Sequence, residues 1–387
     1  MRLFVSTGEV SGDLQGALLV KSLYRVAELF NISLQVEGLG GRKMREAGAN
    51  VLHDTTAIGS VGLWESIPFV LPTWRVQQKA IRYLQANPPS AIILIDYLGP
   101  NLTIATYLKK RYPHIPIIWY IAPQFWVWAP LGRDVQQLVR VTDKLLAIFP
   151  AEARFYRGLG LDVTYVGHPL VDYLSNPPSR EDARARLGIT DEEKTIVLLP
   201  ASRRQELHYL LPVILSTSKI IQKEIPKSRF YLPISLPEYK ATIEAMVRRY
   251  QLDVTLWEGD SLEVLAAADL AITKSGTVNL ELALLKIPQV VIYRVNPLTM
   301  WIARNLLSFK IPFMSPVNLV AEREVVPEFL QERATVDNIL WQARELLFDS
   351  TRRTQVMQGY HVVRDALKND KGDVCEQAAI EILRYLG

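Results

Sequence analysis

Short runs of apolar and β-branched residues alternate with helical patterns along this chain, and the alternation runs through twice. Such an order is typical of parallel sheets with helices on both faces. The first series of predicted strands covers residues 3–7, 34–40, 91–96, 115–121, 144–149 and 163–167. The second series covers residues 195–200, 229–235, 253–257, 269–275 and 288–294. Beyond about Thr335 the pattern is helical to the end.

A polar stretch separates the two series. Residues 175–194 read SNPPSREDARARLGITDEEK, which is typical of a linker feeding a short surface helix. We therefore expect an α/β protein with two Rossmann-like domains, 1–174 and 175–345, that face a central cleft. Helices in 346–387 are expected to pack back on the N-terminal domain. Ligands of open α/β sheets bind beyond the carboxyl ends of the strands, so the loops there are where chemistry is expected.

Composition excludes several classes of protein. The one cysteine, Cys375, rules out an intrachain disulfide and a CxxC metal site, and the five scattered histidines predict no metal. The net charge of +4 is compatible with an anionic ligand or a membrane surface but is too weak to indicate nucleic acid. Met1 and Arg2 run straight into a strand, so no signal peptide is expected. The most apolar stretch, 115–131, contains three prolines and cannot form one spanning helix.

Two turns in the second series suit a diphosphate. In LLPASRRQE (198–206) a strand gives way to Ser202 and Arg203 before a helix, where N–H groups and a guanidinium can bind phosphate oxygens. The alternative is a solvated basic turn capped by Ser202. No GxxxxGK[ST] and no GxGxxG after a strand occurs, which argues against a P-loop enzyme and a dehydrogenase.

The second turn lies in TKSGTVNLELAL (273–284). Gly276 lets a ligand approach the backbone, Ser275 and Thr277 add hydroxyls, and Glu281 follows one helical turn later with a carboxylate suited to ribose hydroxyls. Taken alone, this could be a capped helix with a surface Glu. Together with the arginine turn at 198–206, it favours a nucleotide.

These turns belong to an ordered set of motifs that resembles the lipid-A-disaccharide synthase family, inverting glycosyltransferases of the two-Rossmann GT-B type. The resemblance covers nearly the whole chain. Its motifs are GEVSGDLQGA (8–17), GLGGRKMREAG (38–48), YIAPQFWVWAP (120–130), IFPAEARFY (148–156), VGHPLVD (166–172), LLPASRRQE, KSGTVNLELAL, VIYRVNPLT (291–299) and PVNLVAEREVVPEFLQ (316–331).

The resemblance implies transfer from UDP-2,3-diacylglucosamine to 2,3-diacylglucosamine 1-phosphate. The products are a β-1,6-linked disaccharide 1-phosphate and UDP, and no metal or cofactor is implied because Arg203 and a helix N-terminus can face the diphosphate. The resemblance also implies a cytoplasmic protein, peripheral on the inner face of the cytoplasmic membrane. The helical tail offers a surface for self-association.

The resemblance, together with the loops, assigns candidate site residues. The donor is expected at Ser202, Arg203, Glu206, Ser275, Gly276, Thr277, Glu281 and Asn318. The acceptor is expected at Gly8, Glu9, Ser11, Gly12, Asn101 and His168. Asp96 and Asp13 are the candidate catalytic bases. His168 could equally lock the hinge between the domains together with Pro169.

The sequence departs from the family at one loop. Where the family has a pattern close to D-x-P-D-F-N, this chain reads DYLGPN (96–101), so that Gly99 replaces the second acid. Three explanations stay open: Asp96 or Asp13 is the base, the acceptor differs, or the protein is only weakly active.

An apolar segment at 60–76 predicts contact with a membrane, because the implied substrates are acylated. Its large side chains are Leu63, Trp64, Ile67, Phe69, Leu71 and Trp74. Pro68 and Pro72 are expected to break any long helix here. Burial in the core is the alternative.

Two other functions stay open on the sequence. Another GT-B enzyme on a UDP-sugar, such as a UDP-N-acetylglucosamine 2-epimerase or a muramyl-type transferase, would not need the apolar segment. A non-catalytic binder of lipid or nucleotide is the third candidate, made plausible by Gly99.

Overall fold

The structure is a computed structural model that describes residues 1–56, 67–129, 131–200, 204–369 and 372–387, with the backbone alone for 67–69, 204 and 205. The chain divides into two compact units. The first consists of Met1–Tyr173, Ile302–Lys310 and Ala366–Gly387. The second consists of Leu174–Trp301 and Ile311–Asp365, so the C-terminal helices are shared between the units.

The first unit is built on one parallel sheet. Its strands are β1 Arg2–Ser6, β2 Gln35–Gly40, β3 Asn50–Asp54, β4 Ala91–Leu94, β5 Ile117–Tyr120, β6 Lys144–Ala147 and β7 Val163–Tyr165. Its helices before residue 174 are α1 Val10–Leu29, α2 Arg42–Glu46, α3 Ile67–Ala86, α4 Leu98–Arg111, α5 Gly132–Val141, α6 Pro150–Gly158 and α7 Leu170–Tyr173. Within the described residues the strand order is β3-β2-β1-β4-β5-β6-β7, and every neighbouring pair is parallel.

The central strands of this sheet are buried along their whole length. The four residues of β4, AIIL, and the four of β5, IIWY, are all buried, as expected where helices cover both faces of a sheet. This explains why continuous apolar runs identified them in the sequence. The strand β3 was not predicted, because its sequence NVLHD is only partly buried and lies at the sheet edge.

The expectation that Pro68 and Pro72 break the helix in the apolar segment was wrong. Helix α3 runs from Ile67 to Ala86 with Pro72 inside it. Pro68 occupies the first turn, where N–H groups have no helical partner, and Pro72 removes one early hydrogen bond. The buried residues Ala80, Ile81 and Leu84 anchor the later turns of this helix in the core.

The second unit repeats the architecture. Its strands are β8 Lys194–Leu199, β9 Ser228–Pro233, β10 Thr255–Trp257, β11 Leu270–Lys274, β12 Gln289–Tyr293 and β13 Glu328–Leu330. The helices from residue 174 onwards are α8 Arg180–Arg186, α9 Arg204–Glu224, α10 Lys240–Tyr250, α11 Ser261–Ala266, α12 Val278–Leu284, α13 Pro297–Asn305, α14 Pro316–Ala321, α15 Val336–Phe348, α16 Ser350–Leu367 and α17 Val374–Leu386. In the part of the chain described, the strand order is β10-β9-β8-β11-β12-β13, again all parallel. Two parallel sheets followed by a helical tail confirm the predicted fold class.

The last helix closes the first unit. Helix α17 packs along α1, and an ion pair of 2.7 Å joins Arg25 to Glu376. The Asp172 carboxylate accepts a hydrogen bond from the N–H of Cys375 at 2.9 Å, at the start of α17. Among the helices of the described residues, none is long and apolar enough to cross a membrane.

Candidate active site

The strand order of the first sheet reverses between β1 and β4, so the carboxyl ends of these strands meet at the point where open α/β sheets bind ligands. Asn101 joins the two ends. Its amide accepts a hydrogen bond from the Ser6 hydroxyl at 2.7 Å and donates to the carbonyls of Ser6 (3.2 Å), Ile95 (3.2 Å) and Asp96 (2.8 Å). Asn101 is fully buried. Its amide holds the two strand ends together, and its role in acceptor binding stays a prediction.

Asp96 begins the turn after β4 and its side chain is exposed. Its φ of 45°, together with 51° for Tyr97 and 66° for Ile121, places three non-glycine residues in the left-handed region at this edge. A β-branched residue such as Ile121 tolerates that region poorly, and such strain concentrates at functional sites. The N–H of Asp96 donates to the Ile121 carbonyl at 2.8 Å, so the strained positions support one another. An accessible carboxylate is thus held in a fixed place at the reversal of the sheet.

Asp13, the other candidate base, has a different environment. It is buried, and its carboxylate accepts hydrogen bonds from the N–H groups of Gly41 (2.7 Å), Lys43 (2.9 Å) and Met44 (3.1 Å). These are N–H groups at the start of α2, which have no partner within the helix. Asp13 therefore fixes α2 to α1, and its role as a catalytic base stays a prediction.

The stretch GEVSGDLQGA is mostly helix, because α1 begins at Val10. Its glycines make room inside the protein. A Cβ on Gly12 would lie 1.9 Å from the Thr7 hydroxyl oxygen, and a Cβ on Gly8 would lie 2.2 Å from the Tyr97 ring. Glu9 and Ser11 are half-buried and remain candidates for contact with a sugar.

The buried carboxylate of Glu152 holds the loops at this edge of the first sheet. It was not among the site residues predicted from the sequence. Glu152, in α6, is 1% exposed and accepts hydrogen bonds from the N–H groups of Ile148 (2.8 Å), Ala122 (3.0 Å) and Phe149 (3.2 Å). Burial raises the pKa of its carboxyl to about 7; the three N–H donors pull the value down and the negative charge of Asp96 pushes it up. Glu152 thereby fixes the loops that follow β5 and β6.

His168 lies in the core. It is 2% exposed, its Nδ1 accepts a hydrogen bond from the N–H of Leu170 at 3.2 Å, and its ring lies 5.2 Å from that of Phe149. Burial lowers the pKa of the imidazole to about 3, so it is neutral at physiological pH. Its two alternative roles, binding the acceptor and locking the hinge together with Pro169, stay predictions.

The burial of His168 predicts an acid sensitivity. The unfolded chain binds a proton at this ring below pH 6.5, whereas the folded protein does so only near pH 3, so the stabilising contribution is full above 6.5 and is lost as the pH falls towards 3. Between pH 7.5 and pH 5 the wild type should lose about 2 kcal/mol more stability than His168→Asn. Urea unfolding at both pH values checks this. Equal losses in the two proteins would show that the ring is not shielded.

In the second sheet the order reverses between β8 and β11, which pair directly with Leu199 opposite Thr273. The two turns expected to bind the donor follow these two strands. Ser202 and Arg203 lie outside the described residues, but Glu206, in α9, is described. Its carboxylate lies 3.7 Å from the ammonium of Lys274, the last residue of β11. The start of α9 and the end of β11 are therefore neighbours on one sheet edge.

The turn after β11 is held by a buried amide. Asn279 accepts a hydrogen bond from the N–H of Gly276 at 2.9 Å and donates to the Lys274 carbonyl at 3.0 Å. The Ser275 hydroxyl donates to the Met314 carbonyl at 2.7 Å. Thr277 and Glu281 are half-buried. The turn is thus preformed by hydrogen bonds within the protein.

Asn318, which the sequence places at the donor, lies in the interior, and its role in donor binding stays a prediction. It is fully buried in α14, accepts hydrogen bonds from the N–H groups of Val325 (2.8 Å) and Val326 (3.0 Å), and donates to the Glu328 carboxylate at 3.1 Å. Glu328 in turn accepts from the N–H of Met314 at 2.9 Å. Burial raises the pKa of Glu328. Asn318 therefore shapes the segment that receives the Ser275 hydroxyl.

Part of the predicted apolar patch can be placed. Leu63 and Trp64 lie outside the described residues, and the side chains of Ile67 and Phe69 are not described. On α3, Leu71 is 52% and Trp74 53% exposed, and their neighbour Val70 is 62% exposed. The described part of the patch is thus on the surface.

Comparison with known proteins decides the family. The family model described as lipid-A-disaccharide synthetase matches residues 3–382. The chain belongs to the lipid-A-disaccharide synthase family. Two relatives named lipid-A-disaccharide synthase agree with this: that of Gloeothece citriformis is 52% identical over 100% of both chains, and that of Synechocystis is 54% identical over 100% of this chain and 98% of its own. The resemblance inferred from the ordered motifs is confirmed.

Solved structures of other proteins share the fold of this lipid-A-disaccharide synthase family member. The S. aureus MnaA–UDP co-structure has a TM-score of 0.68 at 14% identity and covers 100% of this chain and 96% of its own. UDP-GlcNAc 2-epimerase from Neisseria meningitidis, bound to UDP-GlcNAc, has a TM-score of 0.60 at 12% identity and covers 100% of both chains. At such identities the likeness concerns the fold alone.

Proposed function

We propose that this protein joins UDP-2,3-diacylglucosamine to 2,3-diacylglucosamine 1-phosphate, forming the β-1,6-linked disaccharide 1-phosphate and UDP in lipid A biosynthesis. Membership of the lipid-A-disaccharide synthase family supports the reaction class, which is sugar transfer. The observation that supports the site is the adjacency of the start of α9, which follows β8, and the end of β11, where Glu206 and Lys274 lie 3.7 Å apart. Two turns on one edge can hold the two ends of one UDP.

The donor site needs positive charge more than it needs a general acid. As the bond from the anomeric carbon to the diphosphate breaks, negative charge grows on the leaving oxygen, and a fixed cation beside it lowers the barrier. Arg203 is the sequence candidate for this cation. Glu281 is the candidate acceptor for the ribose hydroxyls, as acids are in other nucleotide folds.

The acceptor side needs a base. The 6-hydroxyl oxygen of the acceptor attacks the anomeric carbon in one step, which inverts its configuration, and the hydroxyl proton passes to a carboxylate. Asp96 fits this role because it is exposed, whereas Asp13 has its carboxylate occupied by three N–H groups. Glu9 and Ser11 are candidates for binding the sugar hydroxyls. Because Gly99 replaces the second acid of the family pattern, Asp96 is the acid that remains in the loop DYLGPN.

Product analysis separates this function from the two alternatives. The protein is incubated with the acylated UDP-sugar, with and without the acylated acceptor, and products are identified by mass spectrometry. Our proposal requires disaccharide 1-phosphate and one UDP per transfer, with no change in the UDP-sugar when the acceptor is left out. Conversion of the UDP-sugar alone would indicate an epimerase, and binding without turnover would indicate a non-catalytic binder.

The exposed part of the apolar patch leads to a prediction about membrane attachment. Exchange of Val70, Leu71 and Trp74 for Ser should lower the fraction bound to vesicles that contain anionic lipid at least about ten-fold, because each large apolar side chain contributes about 1.5–3 kcal/mol when buried. The thermal midpoint should stay the same, since these side chains are exposed. Vesicle co-sedimentation measures the first and a thermal melt the second.

A matched control is Trp341→Ser, since Trp341 is 58% exposed on α15. This variant should bind vesicles like the wild type. If the triple variant partitions like the wild type, or if it unfolds at lower temperature, the segment serves the core and not a membrane.

A further inference from the structure

Lys274 places a positive charge at the turn after β11, one of the two turns predicted to bind the donor. It was not among the donor residues predicted from the sequence. It is the last residue of β11, and its side chain is 13% exposed. Its ammonium reaches over the turn: a Cβ built on Gly276 would lie 2.8 Å from the Lys274 Nζ. The nitrogen therefore stands beside the backbone position where a ligand can come closest.

The turn does not depend on this ammonium for its shape. The Asn279 amide accepts a hydrogen bond from the N–H of Gly276 and donates one to the carbonyl of Lys274. The Ser275 hydroxyl donates a hydrogen bond to the carbonyl of Met314. The ion pair of Lys274 with Glu206 is 3.7 Å long, whereas strong charge-assisted hydrogen bonds measure about 2.7–2.9 Å. A largely buried cation with a long ion pair, next to a preformed turn, suits a ligand that brings its own negative charge.

We infer that Lys274 binds the diphosphate of the UDP-sugar. This inference rests on the proposed function and adds a residue to it. On binding, the ammonium exchanges its long contact with Glu206 for a direct contact with a phosphate oxygen. Because the diphosphate gains charge as the glycosyl bond breaks, Lys274 contributes to turnover as well as to affinity. A compact ammonium can meet either phosphate without a fixed orientation.

Binding of UDP and of uridine to Lys274→Gln tests the inference. Loss of a charge-assisted contact should raise the Kd for UDP about 10–100-fold and leave binding of uridine, which has no phosphate, unchanged. Lys274→Arg should keep most of the UDP affinity. Lys286→Gln, an exposed lysine just after α12, is the matched control and should bind UDP like the wild type. Lys274→Met gives the same comparison if the Gln variant does not fold.

A structural role for Lys274 would give a different pattern. If the lysine served only to pair with Glu206, Lys274→Gln and Glu206→Gln would weaken the binding of UDP and of uridine alike. An unchanged UDP affinity in Lys274→Gln, in a protein that still transfers sugar, overturns the inference alone. A wild type that binds no UDP overturns the proposed function itself.

Discussion

Replacement of Asp96 by Asn lowers the rate of sugar transfer about 10²–10⁴-fold and leaves the affinity for UDP nearly unchanged. The variant lacks the carboxylate that we propose takes the proton of the acceptor hydroxyl, whereas the proposed donor site lies on the other sheet. Asn is the least disturbing substitute because it tolerates the left-handed φ of 45° at this position. Initial rates of UDP release, with UDP affinity measured by calorimetry, check both halves of the prediction.

Two further variants make this result informative. Asp13→Asn should lower thermal stability, because one oxygen that accepts N–H groups of α2 becomes a donor. Gly99→Asp fits sterically among the described residues, since none of their atoms lies within 4 Å of a Cβ there, and it should change turnover little when Asp96 is the base. Near-normal turnover in Asp96→Asn, or a large gain in Gly99→Asp, would place the base elsewhere.

Replacement of Glu152 by Ala destabilises the first unit by about 3–5 kcal/mol, which is the second large effect that we expect. Three buried N–H groups lose their acceptor together, and the loops after β5 and β6 lose their common anchor. Urea unfolding, followed by tryptophan fluorescence, measures the change. Glu152→Gln keeps the volume and one acceptor oxygen, so it should fall between Ala and wild type.

A surface carboxylate provides the control. Glu46, 63% exposed, pairs with Arg42 at 3.3 Å, and Glu46→Ala should change stability by less than about 0.5 kcal/mol. A Glu152→Ala protein as stable as the wild type would mean that the three N–H groups find other partners. The assignment of Glu152 as the anchor of this edge would then be wrong.

The architecture was accessible from the sequence because buried parallel strands leave a plain signature. Runs such as AIIL and IIWY are apolar at every position, and only a strand covered on both faces needs that. The misses have local causes. The edge strand β3 has a polar sequence, and Pro72 in α3 is tolerated early in a helix whose later turns are anchored in the core.

The candidate site was harder to predict, because the role of a polar side chain depends on partners far along the chain. Asp13 meets N–H groups of residues 41–44, and Asn101 meets Ser6. In the sequence, both residues are compatible with a sugar-binding loop. In the fold, both side chains make hydrogen bonds within the protein. Lys274 had a usable signal, since it ends a strand directly before Ser275 and Gly276. Its neighbour Glu206 lies on a different turn, and only the pairing of β8 with β11 brings the two together.

The most direct test of the central claim, that the edge of the second sheet holds the donor, is hydrogen–deuterium exchange with and without UDP. Peptides that cover the turn after β8 and the turn after β11 should exchange more slowly together when UDP binds. Peptides from the edge of the first sheet, around Gly8 and Asp96, should exchange as before. Slower exchange at the first sheet alone, or at only one of the two turns, would contradict the account.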